Sequence, residues 1–84
     1  METLRRAIKI IGTQQTTADT LGVRQSTLAG WLKREQVPAQ YCAMLEIATG
    51  GQIIREELWP DDWQRIWPEL VPLNRLAKRA IGHL

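Results

Sequence analysis

The feature that most constrains this chain is a pair of short helical patterns, between residues 14 and 33, that meet at one glycine. The stretch reads Q-Q-T-T-A-D-T-L-G-V-R-Q-S-T-L-A-G-W-L-K. Two helices that cross steeply over a short turn need a small side chain at their contact and a residue that tolerates positive φ at the corner. Ala18 and Gly22 meet these two needs. The spacing predicts a helix-turn-helix, with helices over residues 14–21 and from 25 to 32 or 33.

Four apolar residues in this stretch are spaced so that both helices face one core. They are Leu21, Val23, Leu28 and Trp31, at intervals that share one helix side. We interpret Trp31 as a core anchor rather than a base-stacking surface, because its spacing with Leu28 aims it inward and readers of duplex DNA need no exposed aromatic.

The outward positions of the second helix carry side chains that can read the edges of DNA bases. Gln25 can offer its carbonyl and amide groups together to adenine, and Ser26 can bond either base of a pair. Ala29 can lie against a thymine methyl, and Gly30 permits close approach. The alternative is a helical hairpin that never meets DNA, but a solvent face of that kind is typically laced with salt bridges. These four positions are uncharged, which favours base reading.

Groups that can contact phosphates flank the same helix. They are Gln14, Arg24, Thr27, Lys33 and Arg34. Hydroxyl, amide and cationic side chains commonly position a protein on the DNA backbone. Lys33 and Arg34 can also be ordinary cations at a helix C-terminus. Double-stranded DNA is the predicted ligand.

The charge of the chain is unevenly distributed. Residues 1–45 carry six basic and three acidic side chains, a net charge of +3. Residues 46–69 carry −4 and residues 70–84 carry +3. We expect the basic first half to face DNA and the acidic block to point away from phosphate.

Composition indicates one small cytoplasmic protein without a cofactor. At 84 residues, the chain is near the low end of what folds alone, so dimerisation would help it. It shows no secretory leader and no apolar run of about 20 residues, so we expect no membrane association. Cys42 is the only cysteine and His83 the only histidine, which leaves no usual zinc site. No nucleophile with a base, carboxylate pair or phosphate-cradling glycine loop is present, so we expect no enzyme.

The remaining pattern predicts an all-α fold of four to five helices with a C-terminal helical extension. A first helix over about 3–11 ends at Gly12 and turns Arg5, Arg6 and Lys9 outward. A fourth helix follows Pro38 and ends at residues 49–51. The strand-like segment 52–55 is too short to found a sheet. We expect a DNA-binding domain over residues 1–69 and a helical extension or tail over 70–84.

Three tryptophans follow at four-residue intervals: Trp59, Trp63 and Trp67. They can pack on the fourth helix or form an apolar patch that a second subunit covers. In the last segment, 71–84, Leu73 and Leu76 lie on one helical side and Arg75 on the other. This segment can be a dimerisation helix, a basic tail, or a segment that orders on a partner.

The chain resembles the Cro/YdaS-type prophage regulators, called antitoxin-like in some loci. The resemblance covers roughly residues 4–62 and rests on these runs: I-K-I-I-G, T-A-D-T-L-G-V-R-Q-S-T-L-A-G-W-L, V-P-A-Q-Y-C-A-M-L-E-I-A-T-G-G and E-E-L-W-P-D. Leu58, Pro60 and Asp61 match the L-x-P-D element. Trp59 stands where these proteins commonly have arginine, and Thr17 occupies a place that is often apolar.

The resemblance implies a lambda-repressor-like domain that binds operator DNA near its own gene, usually as a homodimer, within the cytoplasm and on the nucleoid. It also implies the alternative function, an antitoxin-like module that neutralises a toxin or another phage regulatory protein. In that case the tryptophans and the C-terminal segment would hold the partner.

Overall fold

The regular secondary structure of the described part of the chain is entirely helical, and no strand occurs there. The computed structural model describes residues 2–73 and 75–76. The four longer helices are α1 (Glu2–Ile11), α2 (Gln14–Leu21), α3 (Gln25–Arg34) and α4 (Ala39–Ala48). Two single-turn helices, α5 (Arg55–Leu58) and α6 (Trp63–Ile66), precede a 3-10 segment, Pro68–Leu73. The predicted all-α class and the first four helices are confirmed.

The turn between α2 and α3 forms at Gly22, as the sequence pattern predicts. The hydroxyl of Thr13 accepts a hydrogen bond from the N–H of Thr16 at 3.0 Å, which caps the start of α2. Gly22 adopts φ 71°, in the left-handed region. Val23 then donates to the carbonyl of Ala18 at 3.0 Å, a bond that satisfies an open carbonyl at the helix end.

The end of α3 differs from the prediction by one or two residues. The sequence pattern predicts that this helix ends at residue 32 or 33, but Arg34 is the last residue of α3. Glu35 ends the helix with φ 57°, and Gln36 donates back to the carbonyl of Trp31 at 3.1 Å. A residue other than glycine rarely takes left-handed φ. Because glutamate takes it here, the sequence lacks the glycine that usually marks such a helix end.

The end of α4 confirms the predicted break at residues 49–51. The buried hydroxyl of Thr49 donates to the carbonyl of Leu45 at 2.9 Å and accepts from the N–H of Ile53 at 3.2 Å. Gly50 and Gly51 follow with φ of 62° and 81°. Because two successive residues take left-handed φ, the chain turns sharply and brings Ile53 back to the core.

The strand-like segment 52–55 forms no strand, as its short length predicts. Ile53 and Ile54 are both buried, Ile53 in a bend and Ile54 with extended backbone, and Arg55 begins α5. The carboxylate of Glu57 accepts the N–H of Ile54 at 3.2 Å, which fixes the start of the short helix as an N3 glutamate does in a capping box. The β-branched pair therefore fills the core without pairing as a strand.

One core joins all four longer helices. Its fully buried members include Leu4 of α1, Leu28 of α3 and Leu45 of α4. Thr17 is also fully buried, and its hydroxyl donates to the carbonyl of Thr13 at 2.8 Å. That bond satisfies the only polar group of the side chain, so threonine is accommodated at a position that is often apolar.

An ion cluster attaches the C-terminal segment to this core. Glu56 is completely buried, and Arg75 donates to both of its carboxylate oxygens at 2.9 Å. Arg75 also hydrogen-bonds both carboxylate oxygens of Glu46. The backbone N–H of Arg55 donates to Glu46 at 3.1 Å. The sequence pattern predicts Arg75 on the outward side of a helix; instead its guanidinium pairs with two carboxylates, those of the buried Glu56 and the half-buried Glu46.

The chain on either side of residue 69 is continuous in its packing. Leu70 is buried inside the 3-10 helix Pro68–Leu73, which also contains Pro72 and crosses the predicted boundary. The domain boundary after residue 69 stays a prediction. The part of the predicted helical extension beyond residue 76 lies outside the described residues.

Arg75→Gln should lower the free energy of unfolding by about 3 kcal/mol, because it leaves the buried carboxylate of Glu56 without its cation. Urea unfolding followed by circular dichroism measures this. Arg65→Gln is the matched control: Arg65 pairs with Asp62 at the surface, with its side chain 80% exposed, so its loss should cost less than about 1 kcal/mol. Equal effects of the two substitutions would contradict a structural role for the cluster.

The same cluster predicts an acid-sensitive stability. Burial alone would raise the pKa of Glu46, but the hydrogen bonds from Arg75 and from the Arg55 backbone outweigh it and lower that pKa below its ordinary value of 4.5. The stability that this carboxylate contributes is therefore present above pH 4.5 and lost as pH falls through the lowered value. Unfolding measured between pH 3 and 7 should show this decline, and Arg75→Gln should flatten it. An unchanged slope in the variant would exclude Arg75 as the cause.

Candidate nucleic-acid interface

The packing of α3 determines which of its side chains reach solvent. Leu28 is fully buried and Trp31 is 2% exposed. The indole of Trp31 packs against the ring of Tyr41 on α4, with centroids 5.0 Å apart. The prediction that Trp31 is a core residue is confirmed. Since these two side chains face inward, the opposite side of α3 faces solvent.

The predicted base-reading residues share that outer side. Gln25, Ser26 and Ala29 are exposed, and Gly30 is half-buried. Their offsets of one, four and five residues place them within one helical face. The face is uncharged and offers amide and hydroxyl groups beside a small apolar surface, the chemistry that base edges in a major groove require. Their role in reading bases stays a prediction.

Arg34 lies over Gly30, a feature that the sequence interpretation missed. A Cβ at position 30 would be 3.6 Å from the Nη2 atom of Arg34. An anion or a polar group that approaches Gly30 therefore meets a guanidinium as well as backbone. The i, i+4 spacing of the two residues was the available signal. Arg34 is thus placed at the edge of the reading face rather than in a loop.

The other predicted phosphate contacts surround this face and are all exposed. They are Gln14 at the start of α2, Arg24 and Thr27 at the start of α3, and Lys33 near its end. The carbonyl of Arg24 accepts from the N–H groups of Thr27 and Leu28 at 3.0 and 3.2 Å, which orders the residue at the helix start. Among the described residues, no carboxylate forms an ion pair with Arg24, Lys33 or Arg34. Their charge is available to an external anion.

The three tryptophans have different environments. Trp63 is 6% exposed and belongs to the interior of this chain. The indole N–H of Trp59 donates to the carbonyl of Val37 at 2.8 Å, so this residue ties the α3–α4 link to the C-terminal part. Trp67 is half-buried beneath the guanidinium of Arg55, 5.6 Å from its ring centroid. Trp63 therefore offers little surface to a partner.

The two leucines that were predicted to lie at an interface are more accessible than Trp63. Leu73 is 48% exposed and Leu76 is half-buried. Contact of these side chains with a second subunit or another protein stays a prediction.

Cys42 behaves as a small core residue. Its thiol is buried, and burial raises its pKa to about 12, so it stays protonated at neutral pH. Within residues 2–73 and 75–76, no three metal-ligating side chains form a cluster. No helix in the same part of the chain is long and apolar enough to cross a membrane.

A protein-family model described as bacterial toxin YdaS matches residues 4–66, which span the helix-turn-helix and most of the core. This chain belongs to the YdaS family. The resemblance to Cro/YdaS-type regulators is therefore confirmed, whereas the family description names a toxin and not an antitoxin.

Two proteins similar to this chain carry the names of regulators. The chain is 39% identical over 61 residues to the "putative transcriptional regulator YdaS" of Escherichia coli K12. That match covers 70% of this chain and 62% of the relative, so the chain spans less than two thirds of that protein. A Cro protein from the "putative prophage element Xfaso 1" of Xylella fastidiosa strain Ann-1 is 41% identical, with a TM-score of 0.70. That comparison covers 73% of this chain and 94% of the Cro chain, and it shows that the two share a Cro-type helix-turn-helix fold.

Gly22→Ala should destabilise the turn by about 1–2 kcal/mol, because alanine at φ 71° meets the left-handed penalty. Gly30→Ala is the matched control in the same motif. Gly30 lies inside α3, and its new methyl would make an ordinary contact with flexible Arg34, so alanine should stabilise the helix by up to about 1 kcal/mol. Thermal or urea unfolding of both variants checks this. Destabilisation by Gly30→Ala alone would contradict the assignment of Gly22 as the turn residue that requires positive φ.

Proposed function

We propose that this chain is a sequence-specific, non-enzymatic DNA-binding regulator of the Cro type, which binds operator DNA as a dimer and represses transcription in a prophage setting. The observation that carries the proposal is the outer face of α3. It is uncharged and rich in hydrogen-bonding groups, and the cations around it have no ion-pair partner in the described chain.

Base reading and phosphate binding are divided between different residues in this proposal. Gln25 and Ser26 bond base edges in the major groove, and Ala29 contacts a thymine methyl. Arg24, Lys33 and Arg34 bind phosphates together with the polar Gln14 and Thr27. Because phosphate contacts carry no sequence information, loss of a cation weakens binding to every duplex, while loss of Gln25 weakens binding to the preferred one.

The size of the molecule suits a two-fold dimer on DNA. Helix-turn-helix dimers bind half-sites about 34 Å apart, one turn of the duplex. The principal extents of the protein are 35, 27 and 19 Å, so two copies side by side can bring equivalent α3 helices to that separation.

Selection from a library of random duplexes tests the proposal and also yields the operator sequence. We expect an enriched, two-fold symmetric sequence with half-sites about one turn apart. Titration of that duplex and a scrambled version at two salt concentrations should give at least a hundredfold preference at the higher one. Equal, salt-sensitive affinity for both duplexes would contradict sequence-specific regulation, because it is the behaviour of phosphate contacts alone.

Gln25→Ala should reduce the preference for the selected duplex by about 1–3 kcal/mol, since a bidentate contact to a base is lost. The dependence of affinity on salt should be unchanged, because the side chain is neutral. Gln40→Ala, an exposed glutamine on α4, is the control and should leave both quantities as in the wild type. A preference unaffected by Gln25→Ala would remove this residue from the reading face.

A second function, a module that binds another protein, is favoured by two exposed apolar side chains in the 3-10 segment. Val71 is 47% and Leu73 is 48% exposed. The family description as a toxin suggests a discriminating assay, namely growth arrest on overexpression. If arrest depends on DNA reading, Gln25→Ala relieves it and a Val71→Ser/Leu73→Ser variant does not. The reverse result would favour the protein-binding module.

A further inference from the structure

A second basic surface lies beside the reading face, on α1. A cleft of about 420 Å³ is lined by side chains of α1, by Gln14 at the start of α2 and by Leu32 of α3. Three of its lining residues are the cations Arg5, Arg6 and Lys9, and the only carboxylate among them is Glu2. The cleft is therefore positively charged, and none of its lining residues is a predicted base-reading residue.

Arg5 and Lys9 carry the charge of this cleft that is not neutralised within the fold. Both are exposed, and neither forms an ion pair in the described chain. Arg6 differs, because its guanidinium lies 3.5 Å from the carboxylate of Glu57. Arg5 and Lys9 are four residues apart on one helix, a spacing at which like charges repel and destabilise the helix slightly. An anion bound between them relieves that repulsion.

The cleft is adjacent to the side of α3 that faces DNA in the proposed function. Leu32 follows Ala29 by three residues and Gln25 by seven, so these three positions are neighbours along the helix surface. Leu32 therefore marks the edge of the reading face, and the cleft begins there. Gln14, which we propose as a phosphate contact, lines the same cleft.

We propose that Arg5 and Lys9 bind the phosphodiester backbone of the duplex whose bases α3 reads, and so extend the DNA footprint from the helix-turn-helix onto α1. This inference rests on the proposed function. Their Cβ atoms, about 5–6 Å apart as for any i, i+4 pair, carry long side chains that can reach neighbouring phosphates of one strand. The contact adds affinity and register but no sequence preference.

The test measures the salt dependence of binding to the selected and scrambled duplexes for Arg5→Gln, Lys9→Gln and the double variant. Each lost phosphate contact should reduce the slope of log affinity against log salt by about 0.9. The double variant should therefore lose about 1.8 from the slope, with its preference between the duplexes unchanged. Arg65→Gln removes one exposed cation on α6 and should not change the slope, so it is the charge-matched control for each single variant.

The possible outcomes separate this inference from the proposed function. If the α1 variants keep the wild-type slope while Gln25→Ala still reduces preference, α1 does not touch DNA and the regulator proposal stands. If Arg65→Gln lowers the slope equally, general charge explains the effect and the inference is wrong. If the wild-type protein selects no duplex, both proposals fail. Thermal unfolding of each α1 variant excludes misfolding as the cause. Because Arg5 and Lys9 are exposed and repel each other, these variants should be at least as stable as the wild type.

Discussion

The burial of Leu28 and Trp31 fixes the rotation of α3 about its own axis, and the proposed DNA chemistry depends on that rotation. A change of about 100° would replace the polar outer face with core residues. The ring of Trp31 packs against Tyr41 on α4. The α3–α4 link beside it is fixed by a hydrogen bond from the indole N–H of Trp59 to the carbonyl of Val37. The C-terminal part of the chain thus supports α3 from the side opposite its exposed face, through the hydrogen bond of Trp59.

The helix-turn-helix was predictable because its signals are local. Gly22, Ala18 and the Thr13 cap lie within about ten residues of one another, and each specifies a backbone geometry that a short peptide pattern can express. The reversal at Thr49–Gly51 was predictable for the same reason. The path of Ile53 was not, because its β-branched neighbourhood resembles a strand, while its conformation depends on Thr49 and on the core that it fills.

The C-terminal ion cluster could not be predicted by periodicity. Arg75 is 29 residues from Glu46 and 19 from Glu56, and nothing in the local pattern of either region marks them as partners. The surface of residues 46–69 is therefore less negative than their composition suggests, since Glu46 and Glu56 are paired with Arg55 and Arg75. The available positive charge lies on α1 and around α3, where cations have no ion-pair partners in the described chain. Pairing, rather than composition alone, determines where this nearly neutral molecule can attract a phosphate backbone.

The most direct measurement is a map of backbone and side-chain amide shifts in ¹⁵N-labelled protein as the selected duplex is added. We expect the largest perturbations at Gln25, Ser26 and Ala29, including the side-chain amide of Gln25, and smaller ones near Arg5 and Lys9. The indole N–H signals of Trp31 and Trp63 should change little, because both rings lie in the core. Perturbations confined to α4 and the 3-10 segment, with α3 unaffected, would contradict the assignment of α3 as the helix that reads DNA.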